Sequence, residues 1–156
     1  MKTILGIDVG MKGALAFYSN DNLIIHDMPI HEIVRGKKKR NRIDIQVLLS
    51  MLEGHGFIDH AFIEQVWAQP GNGAAAAFTY GFGCGALECA IASAGIPFTY
   101  VTSMKWKKAM SCPKDKDAAR MRASQLLPQF SDEWPLKKHD GRAEAALIAL
   151  YGYKEI

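Results

Sequence analysis

Ile4-Leu5-Gly6-Ile7-Asp8-Val9-Gly10 reads as a buried strand that carries one acidic residue and then turns at glycine. A carboxylate inside an apolar strand is costly unless a cation or a hydrogen-bonding neighbour compensates it. Asp8 therefore poses a question to the rest of the chain: which other residues are its partners?

Reading outward, Gly13 to Ser19 is again strand-like, Asn20-Asp21-Asn22 marks a turn, and Leu23 to Met28 makes a third strand closed by Pro29. This start predicts a three-stranded antiparallel meander. The run Arg35-Gly36-Lys37-Lys38-Lys39-Arg40-Asn41-Arg42 holds six cations in eight residues and reads as a loop. A helix follows on Ile43, Val47, Leu48, Met51 and Leu52, stopped by Gly54 and Gly56. Phe57 to Val66 predicts a fourth strand with Glu64 near its end. Pro70-Gly71-Asn72-Gly73 leads into an alanine-rich helix that runs to about Ala94. Gly95 and Pro97 end it, and Phe98 to Val101 predicts a fifth strand. Ser103 to Met110 and Asp115 to Leu127 read as short helices. After a loop containing Pro128 and Pro135, a last helix spans about Asp140 to Tyr151.

The order β-β-β-α-β-α-β-α-α-α predicts one α/β domain over residues 1–156. Its sheet is five-stranded and mixed, three antiparallel strands then two parallel, with helices on both faces. A length of 156 residues, 49% hydrophobic, is enough for one proper core. The net charge of +3 is too mild to argue for nucleic acid by itself, so the clustered cations carry that argument. Cys84, Cys89 and Cys112 are odd in number and form no C-x-x-C pair, which fits free thiols in a reducing compartment. No cleavable apolar leader is present, and glycines and Glu88 interrupt the stretch Ala74 to Ala94. A cytoplasmic protein without a membrane partner is expected. Gly81, Gly83 and Gly85 mimic part of a dinucleotide fingerprint, but no strand immediately precedes them, so no nucleotide cofactor is expected.

The residues that carry chemistry are acidic. Asp8 lies mid-strand, Glu64 ends a strand that should neighbour it, and Asp140 and Glu144 are four apart on one helical face. Like charges at that spacing repel, and a divalent cation reverses the penalty. Taken singly, Asp8 is a turn or hydrogen-bonding residue, Asp140 a helix N-cap and Glu144 a solvated side chain. Together they make a site for Mg²⁺ or Mn²⁺, two ions about 4 Å apart clamping the attacking and leaving oxygens of a phosphodiester.

With these residues in hand, the chain resembles the RuvC family of Holliday-junction resolvases, in the RNase H-like superfamily, and among them the short phage and prophage forms. "ILGIDVGMKGALAFY" is similar to the family's first strand and turn, with Asp8 as its acid. "FIEQVWAQP" is similar to the second motif, carrying Glu64 and an aromatic, Trp67, three residues on. "KHDGRAEAALIAL" is similar to the third, at the start of the last helix. The pattern departs from the cellular bacterial enzymes, whose last two acids are aspartates three apart. Here they are Asp140 and Glu144, four apart.

What the resemblance implies is a metal-dependent endonuclease that acts as a homodimer on branched DNA and leaves nicks with 5′ phosphates. Four-way junctions are its foremost substrate, with forks and flaps as further candidates. It implies that Asp8, Glu64, Asp140 and Glu144 hold two ions, with His139 as a neighbouring group. Trp67 becomes a wedge against bases at the crossover, and Lys107 a basic residue near the scissile phosphate. Lys105, Lys108, Lys114 and Lys116, with Lys37, Lys38, Lys39 and Arg40, are candidate phosphate contacts, and as plain lysines they are a solvated face. The small-residue helix face of Ala77, Gly81, Cys84, Gly85 and Glu88 reads as packing plus a dimer seam. Three rivals compete. An actin-like ATPase or sugar kinase shares the Gly6-to-Gly10 motif but needs two domains. A DNA-binding module without catalysis would gain nothing from four acids. A nuclease acting on RNA or other nucleic-acid structures would have the same metal site.

Overall fold

Parity sorts the first strand, β1 (Ile4–Asp8), between two cores: Leu5 and Ile7 enter one, Ile4 the other, and Gly6 and Asp8 share the face of Ile4. The computed structural model describes the backbone of residues 1–156 and every side chain except that of Lys116. β1 pairs antiparallel with β2 (Ala14–Ser19), which pairs antiparallel with β3 (Asn22–Asp27). Asn20 and Asp21 form the β2–β3 turn at φ 43° and 63°, the left-handed pair that a tight hairpin requires and that Asn and Asp tolerate best. The meander is as the sequence predicts.

The basic run is not a loop. It folds as a separate two-stranded hairpin, β4 (Ile30–Arg35) and β5 (Lys38–Ile43), with Arg35 opposite Lys38. Gly36, at φ 62°, takes the first central position of the two-residue turn, where glycine is favoured. Nearly every side chain on this ribbon is exposed, so it carries no alternation of burial for periodicity to detect. Its last residue, Ile43, is fully buried and belongs to the hairpin rather than to the next helix. That helix, α1 (Ile45–Gly54), is capped by Asp44, whose Oδ1 accepts from the Val47 amide at 3.1 Å.

β6 (His60–Gln65) runs parallel to β1, and after α2 (Ala74–Ser93) the strand β7 (Phe98–Thr102) runs parallel to β6. The sheet order is β3-β2-β1-β6-β7, five mixed strands as expected. Two short helices follow, α3 (Ser103–Ala109) and α4 (Lys116–Leu126). Tight 3-10 turns at Pro128–Glu133 and Lys137–His139 replace the expected loop, and α5 (Asp140–Glu155) closes the chain.

Helices cover both faces. α1 and α2 pack Leu48, Leu52, Leu87 and Ile91 against Leu5, Ile7 and Ile63. On the other face α5 packs against Ile4, Ala16 and Phe62, backed by Trp106, Ala119 and Trp134. α5 reads as apolar nearly all round because it is wedged between the sheet and α4; residues Ala145 to Gly152 are all buried. α2 differs. By length and composition it is long and apolar enough to cross a membrane, yet Gly83, Leu87, Ala90 and Ile91 tie it into the domain core and most of its remaining surface is open.

Candidate active site

Two glycines set the geometry. A Cβ on Gly6 would lie 2.3 Å from both the Ala145 carbonyl oxygen and the Ala149 amide nitrogen, so α5 can cross β1 only at a residue without a side chain. A Cβ on Gly141 would lie 2.4 Å from the Lys12 carbonyl oxygen and 3.0 Å from Asp8 Oδ2. These close approaches bring Glu144 on α5 over the ends of β1 and β6. The parallel register, Ile7 beside Ile63, sets Asp8 next to Glu64 on the same face.

Carboxylate oxygens of Asp8, Glu64 and Glu144 all lie within 4.8 Å of one another. Glu64 is only 7% exposed, and Trp106, fully buried, donates its indole N–H to Glu64 Oε1 at 3.0 Å. Lys107 Nζ stands 3.5 Å from Glu144 Oε1. Burial, then the charges of Glu144 and Glu64, hold the Asp8 carboxyl well above the usual aspartate range. Burial likewise raises Glu144, against the lowering pull of Lys107. Three carboxylates packed this closely, two of them with ionisation disfavoured, form a poor structural cluster and a good seat for a hard divalent cation, whose charge opposes both of those upward shifts.

Asp140 stands outside this trio. It shares the helix face of Glu144, but as the first residue of α5 it lies a full turn away, and its Oδ1 accepts from Arg120 Nε at 2.8 Å. Arg120 also holds Asp117 at 3.1 Å. His139 is likewise turned outward: its Nδ1 accepts from the Leu136 amide at 3.2 Å, closing the turn before α5. Trp67, just beyond β6, is 69% exposed rather than packed in a core. Lys105, Lys108 and Lys114 are exposed, and the side chain of Lys116 lies outside the described residues. Lys37, Lys38, Lys39 and Arg40 project from the β4–β5 hairpin, with Lys39 paired to Glu32 at 3.2 Å.

Three residues of this region were not evident from the sequence. Trp106 sits between Lys105 and Lys107, where an aromatic among lysines reads as surface. Arg120 lies in a helix without a marked charge pattern. Tyr80, on α2, has its hydroxyl proton held more tightly than usual by burial, by Cys84 and by the charges of Asp8 and Glu64, which brings it electrostatically within the site.

No protein-family model and no curated protein matches the sequence. Among solved structures, Thermus thermophilus RuvC in complex with a Holliday junction substrate superposes with a TM-score of 0.64 at 17% identity, covering 97% of this chain and 92% of that one. A second Thermus thermophilus RuvC structure superposes with a TM-score of 0.52 at 18% identity, over 96% and 92%. These likenesses span both chains almost end to end. They establish the fold, an RNase H-like α/β domain with a mixed sheet.

Proposed function

We propose that the protein is a divalent-metal-dependent endodeoxyribonuclease that resolves four-way DNA junctions by paired nicks leaving 5′ phosphates. The observation that carries this reading is the convergence of Asp8, Glu64 and Glu144 from three separate elements to within 4.8 Å. The solved RuvC complex with a Holliday junction, at the same fold, supports the choice of substrate. Two Mg²⁺ or Mn²⁺ ions would be held by these three acids, with Asp140 as the fourth once it leaves Arg120. Bound there, the ions supply Lewis-acid activation of water and charge neutralisation at the leaving 3′ oxygen.

The chain's own residues do the rest. The Trp106 indole fixes the Glu64 carboxylate in one orientation, so that little reorganisation is left for binding. Lys107 offsets charge at Glu144 and is available to a phosphate oxygen. Trp67, with most of its indole in solvent, stacks on bases opened at the crossover, a contact worth about 1–3 kcal/mol. Hairpin cations neutralise backbone phosphates. A homodimer through the Ala77, Gly81, Gly85 and Glu88 side of α2, where Gly81 and Gly85 have open space, would set two such centres on one junction. A role in debranching phage or prophage genomes in the bacterial cytoplasm is part of this reading, on the sequence resemblance alone.

The test is incubation with end-labelled four-way junction, linear duplex, flap and RNA/DNA hybrid, each with Mg²⁺, Mn²⁺ or EDTA. Symmetric metal-dependent nicks in the junction, far faster than in duplex, are expected. Cleavage confined to the RNA strand of the hybrid would replace this reading with a ribonuclease. Junction binding without cleavage under either metal would leave only a binding module.

A further inference from the structure

Beside the carboxylates lies an apolar slot of about 430 Å³ that the cutting chemistry does not use. Its floor is buried Ile43 and Gly83. One wall is Val9 to Met11, the backbone that continues directly from Asp8, and the opposite wall is α2 at Ala76 and Tyr80. Arg40 and Asn41 of the hairpin supply a polar rim. The rim continues into a second hollow of about 400 Å³ between the hairpin and α2, where Arg35, Lys38 and Arg42 face Phe78 and Phe82. The Arg42 guanidinium already lies 4.4 Å from the centre of the Phe82 ring, while Phe78 is 70% exposed.

We propose that the slot receives a single unstacked base of the strand being cut, and that the adjoining basic, aromatic hollow carries the neighbouring nucleotides. The inference deepens the nuclease reading and rests on it. Four features favour a base over other occupants. The slot is apolar and in the roughly 300–1,000 Å³ range of small-molecule pockets, so it excludes a duplex and admits one ring system. Arg40, Asn41 and Thr79 offer hydrogen bonds to a base edge. Cations interleaved with exposed aromatic rings are what a single strand binds, the phosphates to one and the bases to the other. Contiguity of Val9 to Met11 with Asp8 holds the occupant within a nucleotide's reach of the metal-binding acids. At a crossover, pairing is already weakened, so extracting a base costs least there. The slot then gives the enzyme a base preference beside the cut.

The test uses Asp8→Asn protein, which should bind junction without cutting it, and four-way junctions carrying 2-aminopurine at single positions around the scissile phosphate. One position should brighten several-fold on binding. Ala76→Trp, at an exposed helix site facing the slot, should abolish that signal even when protein is added to saturation of the junction; Ala76→Ser should preserve it. With wild-type protein, an abasic site at the same position should slow cleavage about tenfold or more, the scale of one base stacked on an aromatic ring. Absence of a brightening position, brightening that survives Ala76→Trp, or unchanged cleavage of the abasic junction would each overturn the proposal. Brightening is read without cleavage, so a wild type that cuts none of the substrates sinks the nuclease reading separately.

Discussion

The acidic site and the basic hairpin region beside it, the two ends of one surface, are built on opposite principles. At the acidic end, α5 lies so close on β1 that backbone meets backbone at Gly6, and Trp106 and Lys107 fix two of the three carboxylates. At the basic end, nearly every side chain of the β4–β5 hairpin is exposed, α2 is anchored in the core along one side and open along much of the rest, and Gly81 and Gly85 have nothing within 4 Å. The first region cannot rearrange without losing core; the second can. On the proposed nuclease reading, chemistry that needs fixed oxygens falls to the rigid end, and selection among DNA shapes to the adaptable one.

The sharpest way to separate them is Asp8→Asn. Cleavage should fall by roughly 10³-fold or more, the scale of losing a central electrostatic group, while junction affinity in a gel-shift assay stays within a few-fold. Affinity that falls in step with activity would mean that the acidic end also holds the DNA. Packing gives the next contrast. Gly6→Ala should cost up to about 3 kcal/mol in urea unfolding, the top of the overpacking range, because the new methyl meets α5 backbone. Gly54→Ala, at the exposed end of α1, adds the same methyl where nothing lies within 4 Å and should be neutral or gain about 0.5–1 kcal/mol. A smaller difference than this would show that α5 can lift away.

At the adaptable end the effects are smaller and selective. Trp67→Ala should weaken junction binding relative to duplex by about 1–3 kcal/mol; an equal loss on both would remove the stacking role. Replacing Lys38 and Arg40 by alanine should flatten the dependence of log affinity on log salt by about 0.9 for each phosphate that is no longer neutralised.

The rigid end was largely legible in the sequence because burial forces patterns. Asp8 and Glu64 stand out as charges in apolar strands, and the meander is punctuated by Asn20-Asp21. Glu144 was found through its spacing from Asp140, although Asp140 itself turns to Arg120, a pairing between helices that no local pattern encodes. The hairpin reads as a loop because a ribbon exposed on both sides has no apolar period. The slot was invisible for a related reason: it is bounded by residues from three distant segments, each ordinary in its own context.

The acidic end also makes a thermodynamic prediction with a sign. Asp8 has its carboxyl raised by burial and by Glu144 and Glu64. A raised acid favours the fold while protonated, so its contribution is fully present below about pH 4, where the unfolded group titrates. It is lost as pH climbs through the raised folded value. Without metal, Asp8→Asn should therefore match wild type in acid and overtake it as pH rises, ending with the higher Tm. Added Mg²⁺ or Mn²⁺ should reverse the order, because the cation rewards the ionised carboxylate and offers the amide little. Thermal melts of both proteins from pH 4 to 8, with EDTA and with each metal, read this directly. Parallel curves at all pH values would mean that Asp8 is not held in a strained acidic cluster, and the case for a metal seat would then rest on proximity alone.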